Sequence, residues 1–172
     1  WGRIDFLLNN AGRAMPKGLL EISEDEWDQT IDLNLKSCFN YCRAAARTML
    51  DQANGGRIVN MSSINAHSGG VTSAVSKFSY AAAKAGILGL TRALAKELGP
   101  KVHINAICPG VIKTERGNDM IRNREPDLIS GITLDRLGTP RDIAQLVTFL
   151  AISEPCFITG QNFIVDGFQW KL

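Results

Sequence analysis

Arg57-Ile58-Val59-Asn60-Met61-Ser62-Ser63, followed after a loop by Ser79-Tyr80-Ala81-Ala82-Ala83-Lys84, is the stretch whose reading decides the fold. The first five residues are a short, mostly apolar run after Gly55 and Gly56, the pattern of a buried strand entered through a turn. Ser62 and Ser63 stand where that strand ends. The segment from Ile64 to Ser76 is rich in Gly, Ser and Ala and reads as a loop. From Ser79 a helix is expected to run to Gly99-Pro100, a stop signal.

Tyr80 and Lys84 are four residues apart, so on a helix they lie one turn apart on one face. An ammonium near a phenol stabilises the phenolate and draws the tyrosine pKa down from about 10 towards working pH. A tyrosine tuned in this way can give or take a proton as an alcohol and a carbonyl interconvert. A serine hydroxyl at a nearby strand end could hydrogen-bond the same substrate oxygen. Taken alone, Tyr-x-x-x-Lys recurs freely, and two residues sharing a half-exposed helix face is its plainer reading.

Outward from this stretch, the same alternation continues. Towards the N-terminus, Ile4-Asp5-Phe6-Leu7-Leu8-Asn9 is a near-continuous apolar run, as in a strand covered on both faces, and Asn10-Ala11-Gly12 closes it with small residues that let a ligand or another backbone approach. Ser23 with Glu26 is a capping-box pattern. It opens a single helix expected to reach about Gln52, with Trp27, Ile31, Leu35, Phe39, Cys42, Ala46 and Met49 as its apolar stripe. Asn34 lies inside that helix, a poor interior residue because its side chain competes for backbone hydrogen bonds.

Towards the C-terminus, Val102 to Ile107 reads as the next strand, left through Cys108-Pro109-Gly110-Val111-Ile112-Lys113-Thr114. Glu115 to Gly138 is charged and weakly periodic, which fits a lid over a pocket or a solvated connector. Thr139 with Pro140 caps another helix, and Asn162 to Gly167 is a last strand with a turn. Phe168 to Leu172 is apolar for a chain end, as expected of a subunit contact. Strands alternating with helices predict an α/β fold, a parallel sheet covered by helices on both faces, with residues 1–172 as one domain.

Of the 172 residues, 45% are hydrophobic and 21% charged, ordinary for a globular protein. A net charge of +2 gives no electrostatic footprint for nucleic acid or a membrane surface. No apolar run approaches the roughly 20 residues that span a bilayer. The four cysteines, Cys38, Cys42, Cys108 and Cys156, have neither metal-ligand spacing nor the density of a secreted disulfide scaffold. They fit reducing, cytoplasmic surroundings, with Cys38 and Cys42 as core fillers on one helix face and no metal site.

The ordered set of motifs resembles the short-chain dehydrogenase/reductase family. Four features carry the likeness: Asn9-Asn10-Ala11-Gly12 after an apolar run, Asn34 in a helix, Ser62-Ser63 before Tyr80-x-x-x-Lys84, and Pro109-Gly110 with Thr114 after a later strand. Each is weak alone, and together they extend over essentially the whole chain. The resemblance implies a Rossmann-like doubly wound sheet and an NAD(P)-dependent oxidoreductase that interconverts an alcohol and a carbonyl. The implied catalytic residues are Asn34, Ser63, Tyr80 and Lys84. Asn10, Ala11, Gly12, Tyr80, Lys84, Pro109, Gly110, Ile112 and Thr114 are implied to hold NAD or NADP. In this likeness Asn34 supports a water that links the lysine to solvent, and Lys84 holds the nicotinamide ribose. The gap between Ser63 and Tyr80 is a few residues longer than is usual for the family, so Ser62 competes for the serine role, with Ser63 preferred. Asn65 and His67 in that longer loop could face the substrate.

The resemblance also implies a small-molecule alcohol or carbonyl substrate. A 3-oxoacyl thioester, a sugar or polyol, and a secondary alcohol all fit, with the loops near Asn65 and Ile121 shaping the pocket. No nucleic acid or membrane partner is implied, and the implied assembly is a homodimer or homotetramer. A glycine-rich turn between a first strand and a first helix, needed for a pyrophosphate, is not found. The sequence thus reads as beginning at the family's fourth strand, and the strand Ile4 to Asn9 as an edge that another chain or segment should cover. A non-catalytic dinucleotide sensor, or an assembly fragment inactive by itself, is the alternative function.

Overall fold

The computed structural model describes residues 2–70, 76–115, 123–154 and 156–169. Strand β1 spans Phe6–Asn9, β2 Gly56–Met61, β3 Val102–Pro109 and β4 Asn162–Val165. Every pairing is parallel, in the order β1-β2-β3-β4. Asn9 pairs with Asn60 and Asn60 with Ala106, so the C-terminal ends of β1, β2 and β3 lie side by side. In an open parallel sheet, ligands bind outside that edge.

Between β1 and β2 run α1, Glu24–Ile31, and α2, Ser37–Asp51. After β2 come α3, Asn65–Ser68, and the long α4, Phe78–Leu98. After β3 come α5, Glu125–Ile129, and α6, Pro140–Ile152. Parallel neighbours need such crossovers, because a tight hairpin can only reverse the chain.

Both faces of the sheet are covered, as expected. On one face Cys38, Cys42, Ala45 and Met49 of α2 pack with Ala95 of α4 against Ile58, Val102 and Ile104. On the other, Ile143 and Leu150 of α6 pack against Val59, Met61 and Ile107. Neighbouring residues of β2 therefore serve opposite cores, which explains why its sequence is apolar without alternation.

The capping boxes at Ser23–Glu26 and Thr139–Asp142 form as read, with Pro140 in the first turn of α6. Three local expectations change. The helix predicted from Ser23 to about Gln52 is interrupted by a π-helical turn, Asp32–Lys36, centred on Asn34. On its far side Cys38 faces the core, while Phe39 is exposed with the Arg43 guanidinium 5.4 Å from its ring centroid. The first strand begins at Phe6, not Ile4: the Gln52 amide takes the Ile4 N–H at 2.7 Å and donates to its carbonyl at 2.9 Å. The connector before Gly138 contains α5, capped by no side chain.

β1 has β2 as its one neighbour among the described residues. The expectations placed on Trp1, on 71–75 of the Gly/Ser loop, on 116–122 of the connector (Ile121 included) and on Trp170–Leu172 lie outside the described residues. No helix among the described residues is long and apolar enough to cross a membrane.

Candidate active site

At the C-terminal edge of the sheet three chain segments leave adjacent strands: Asn10–Gly12 after β1, Ser62–Ser63 after β2 and Gly110–Thr114 after β3. The first two reach Lys84 of α4. The start of α4 is fixed from outside: the Lys77 N–H donates to the Met15 carbonyl at 2.8 Å, and the Trp27 and Phe78 rings stack with centroids 5.7 Å apart. Those contacts orient the turn that carries Tyr80.

Lys84 is 3% exposed, and its ammonium donates to the Met61 carbonyl at 2.7 Å. The same nitrogen lies 5.5 Å from the centroid of the Tyr80 ring. A cation in so little water is disfavoured, and burial draws the Lys84 pKa down to about 8 from 10.5. Tyr80 moves the other way. Burial pushes its phenol above the ordinary tyrosine value, and a hydrogen bond with the Ser63 side chain pulls it partly back. The expectation that Lys84 lowers the Tyr80 pKa is not met in this conformation, because the ammonium is spent on the Met61 carbonyl and desolvation of the phenolate dominates.

The two serines separate by geometry. The Ser62 hydroxyl is buried and donates to the carbonyl of Lys84 at 2.8 Å, so it ties β2 to α4. Ser63 Oγ accepts the Asn65 N–H at 3.2 Å, and its side chain lies near enough to Tyr80 to lower the phenol's pKa. Of the two, Ser63 is the one that meets Tyr80.

Asn34 is 1% exposed, so an exposed helix asparagine is ruled out. Its amide donates to the Thr30 carbonyl at 2.9 Å and the Arg13 carbonyl at 3.1 Å, and its oxygen accepts the Arg13 N–H at 3.1 Å. The π turn opens the backbone ladder where Asn34 sits, a distortion common at functional sites. Gly12 lies against this group: a Cβ there would stand 2.8 Å from Asn34 Oδ1 and 3.3 Å from Lys84 Nζ. Asn10, Ala11 and Asn34 line one cavity of about 250 Å³ beside β1, together with Cys38, Met61 and Ile87.

After β3, the Gly110 N–H donates to the Val165 carbonyl at 3.0 Å, and a Cβ on Gly110 would stand 2.6 Å from Cβ of Asp166. Ile112 pairs with Gly138, and the bonds of that bridge are made by Val111 and Lys113. That pattern turns the Ile112 N–H and carbonyl away from Gly138, and neither bonds another backbone group among the described residues. Thr114 is exposed. Asn65 is half-buried in α3, and His67 is exposed.

Sequence reasoning missed three participants. The Met61 carbonyl carries no side-chain signal. Cys108 is fully buried beside Ser62, Ser63 and Lys84, and burial raises its thiol pKa. Asn60 is also fully buried. Its oxygen accepts from Asn9 at 2.8 Å and from the Cys38 thiol at 3.3 Å, while its amide donates to Thr91 Oγ1 at 3.0 Å. A single amide inside an otherwise apolar strand was the available signal for it.

Residues 1–167 match a family model described as enoyl-(acyl carrier protein) reductase. The chain is 42% identical over 168 residues to a 3-oxoacyl-[acyl-carrier-protein] reductase of Chlamydia muridarum, an alignment with 97% of this chain and 66% of that protein. It is 36% identical over 170 residues to a 2-dehydro-3-deoxy-D-gluconate 5-dehydrogenase of Escherichia coli, again 97% of this chain and 66% of the relative. The chain thus spans just under two thirds of the length of these curated relatives. Among solved structures, a 3-oxoacyl-[acyl-carrier protein] reductase with bound NAD from Brucella melitensis superposes with a TM-score of 0.82 at 34% identity, covering 98% of this chain and 63% of that one. ElxO with NADP bound superposes with a TM-score of 0.87 at 34% identity, covering 97% and 67%.

Proposed function

Because the chain belongs to the short-chain dehydrogenase/reductase family, we propose that the protein exchanges hydride between NAD or NADP and a small molecule bearing an alcohol or carbonyl, with a 3-oxoacyl thioester as its substrate. The observation that carries this reading is the buried Lys84 ammonium 5.5 Å from the Tyr80 ring centroid, one helical turn on, with the Ser63 side chain near enough to lower the Tyr80 pKa. The substrate class rests on the relatives named for 3-oxoacyl-[acyl-carrier-protein] reduction at 42%, 40% and 39% identity.

The residues of this chain fit a dinucleotide. Gly12 lets Asn34 and Lys84, and Gly110 lets Asp166, pack directly on the backbone at the ends of β1 and β3, which keeps both strand exits thin where a dinucleotide would lie. Asn10, Ala11 and Gly12 would form one wall and Pro109, Gly110, Ile112 and Thr114 the other, with the Ile112 N–H and carbonyl, turned away from Gly138, suited to an amide group. When bound, the dinucleotide supplies the hydride for the carbonyl carbon. Tyr80 donates its phenolic proton to the oxygen on which charge develops, so the carbonyl becomes an alcohol. A phenol held above its ordinary pKa keeps that proton until it is needed. Ser63 donates to the same oxygen, its Oγ steadied by the Asn65 N–H. Lys84 would hold the ribose, and Asn34 would support a water path that returns a proton from solvent to Tyr80.

Exposed Phe39, Tyr41 and Leu50 on α2, and Phe149 and Ile152 on α6, support a homodimer or homotetramer. The test is turnover by the full-length protein, followed by dinucleotide absorbance, on acetoacetyl thioester and on a keto-sugar acid. Faster reduction of the thioester is expected. Turnover of the sugar acid alone would replace the substrate class and keep the chemistry.

A further inference from the structure

The turn after β4 carries a backbone conformation that its side chain does not favour. Phe168 has φ +57°, in the left-handed region, directly after Gly167 at φ +67°. Glycine takes that region freely and asparagine tolerates it, but for a bulky aromatic residue it is an outlier. Packing does not explain the choice, because Phe168 is 72% exposed. The backbone is held instead by neighbours: Asp166 Oδ1 accepts the Phe168 N–H at 2.9 Å, and the Phe168 carbonyl accepts from Thr133 N and Oγ1, each at 3.2 Å.

This turn stands on the site's own edge of the sheet. Gly110 packs against Asp166, and Gln169 Oε1 lies 3.2 Å from where a Gly110 Cβ would be. That oxygen is buried with no hydrogen-bond partner among the described residues. On the other side the turn pairs with the end of the connector, through the Leu134 N–H to the Gly167 carbonyl at 3.2 Å and the Ile132–Gln169 bridge. Leu134 is itself 62% exposed, so two large apolar side chains face outward at one rim, next to the strand exit assigned to the dinucleotide. Strained backbone at such a place is retained when function needs the side chain it carries.

We propose that Phe168 is a specificity-determining residue, its ring forming with Leu134 the wall against which the apolar tail of the substrate lies. The proposal rests on the reading of the substrate as a 3-oxoacyl thioester. It predicts a preference for long acyl chains over acetoacetyl that depends on the ring, while proton and hydride transfer do not.

The test uses the full-length protein with Phe168→Asn and Phe168→Tyr. Asparagine relieves the backbone and removes the ring, so Tm is expected to rise by about 2 °C or more. At the same time the ratio of kcat/KM for 3-oxododecanoyl over acetoacetyl thioester should fall about tenfold, with acetoacetyl turnover kept. Tyrosine keeps the ring and should keep the ratio. An unchanged ratio in Phe168→Asn overturns the proposal, as does a Tm that fails to rise. A smaller species by sedimentation, with the ratio intact, also overturns it and gives the ring to a subunit contact. If the wild-type protein reduces no 3-oxoacyl thioester, the substrate reading itself falls and takes this proposal with it. An active wild type with an unchanged variant ratio removes this proposal alone.

Discussion

Lys84 and Met61 are joined at 2.7 Å, ammonium to carbonyl, so the helix that carries Tyr80 is fastened to the end of β2 by the cation assigned to the chemistry. Ser62 returns the link, its hydroxyl donating to the Lys84 carbonyl at 2.8 Å. The site is therefore set by strand β2 and helix α4 together.

Titration of Lys84 gives the first prediction. Its folded pKa, about 8, is below the 10.5 of the unfolded chain. Below pH 8 both states hold the proton, and the folded state carries the full penalty of a buried charge. As pH rises from about 8 to 10.5 the folded state releases its proton first, the unfolded state binds more protons, and stability increases. Without dinucleotide, the unfolding free energy of wild type minus Lys84→Met should therefore rise across that window, on the order of 3 kcal/mol. Urea unfolding at both ends of the window measures it, and a flat difference contradicts the burial assignment.

The serines should separate by readout. Ser62→Ala removes a buried link between β2 and α4 and should cost about 1 kcal/mol, with turnover little changed. Ser63→Ala should leave Tm nearly unchanged and lower kcat by about a hundredfold or more. Thermal unfolding beside steady-state kinetics decides it. Equal losses of kcat in the two variants would return Ser62 to contention.

Most of the fold was legible because its carriers are local. The apolar runs at β1, β2 and β3, the capping boxes at Ser23 and Thr139 and the stop at Gly99 each announce an element within a few residues. The pairing of Tyr80 with Lys84 on one helix face was legible for the same reason. What was not legible depends on the third dimension. The π turn at Asn34 reflects the fit of one amide to the Arg13 backbone, 21 residues away. The direction of the Tyr80 shift follows from burial and from the rotamer of Lys84, which no spacing encodes. Asn60 reads as one polar residue in an apolar strand, and its role appears only when β1, α2 and α4 surround it.

Gly12 leaves no room for a methyl group. Gly12→Ala would bring a Cβ to 2.8 Å from Asn34 Oδ1 and 3.3 Å from Lys84 Nζ. Both side chains must then shift, so turnover and dinucleotide affinity are expected to fall about tenfold or more, since a displacement near 1 Å can cost a hundredfold. Fluorescence titration with dinucleotide and kcat measure the two effects. Wild-type values for both would show that Gly12 is not packed on these groups in solution.

Asn60 links three elements, and replacing it leaves buried partners unpaired. Asn60→Leu should destabilise by about 2–4 kcal/mol, since Asn9 and Thr91 each lose a hydrogen bond. Equilibrium urea unfolding reads this directly. A loss below about 0.5 kcal/mol would mean that the partners find water or each other.

The central claim is that Tyr80 transfers the proton. The most direct measurement is kcat for a full-length Tyr80→Phe variant, with dinucleotide binding measured on the same preparation. The expected result is unchanged fold and binding with kcat reduced about a thousandfold, within the range that general acid–base catalysis supplies. Turnover within about tenfold of wild type would contradict the assignment.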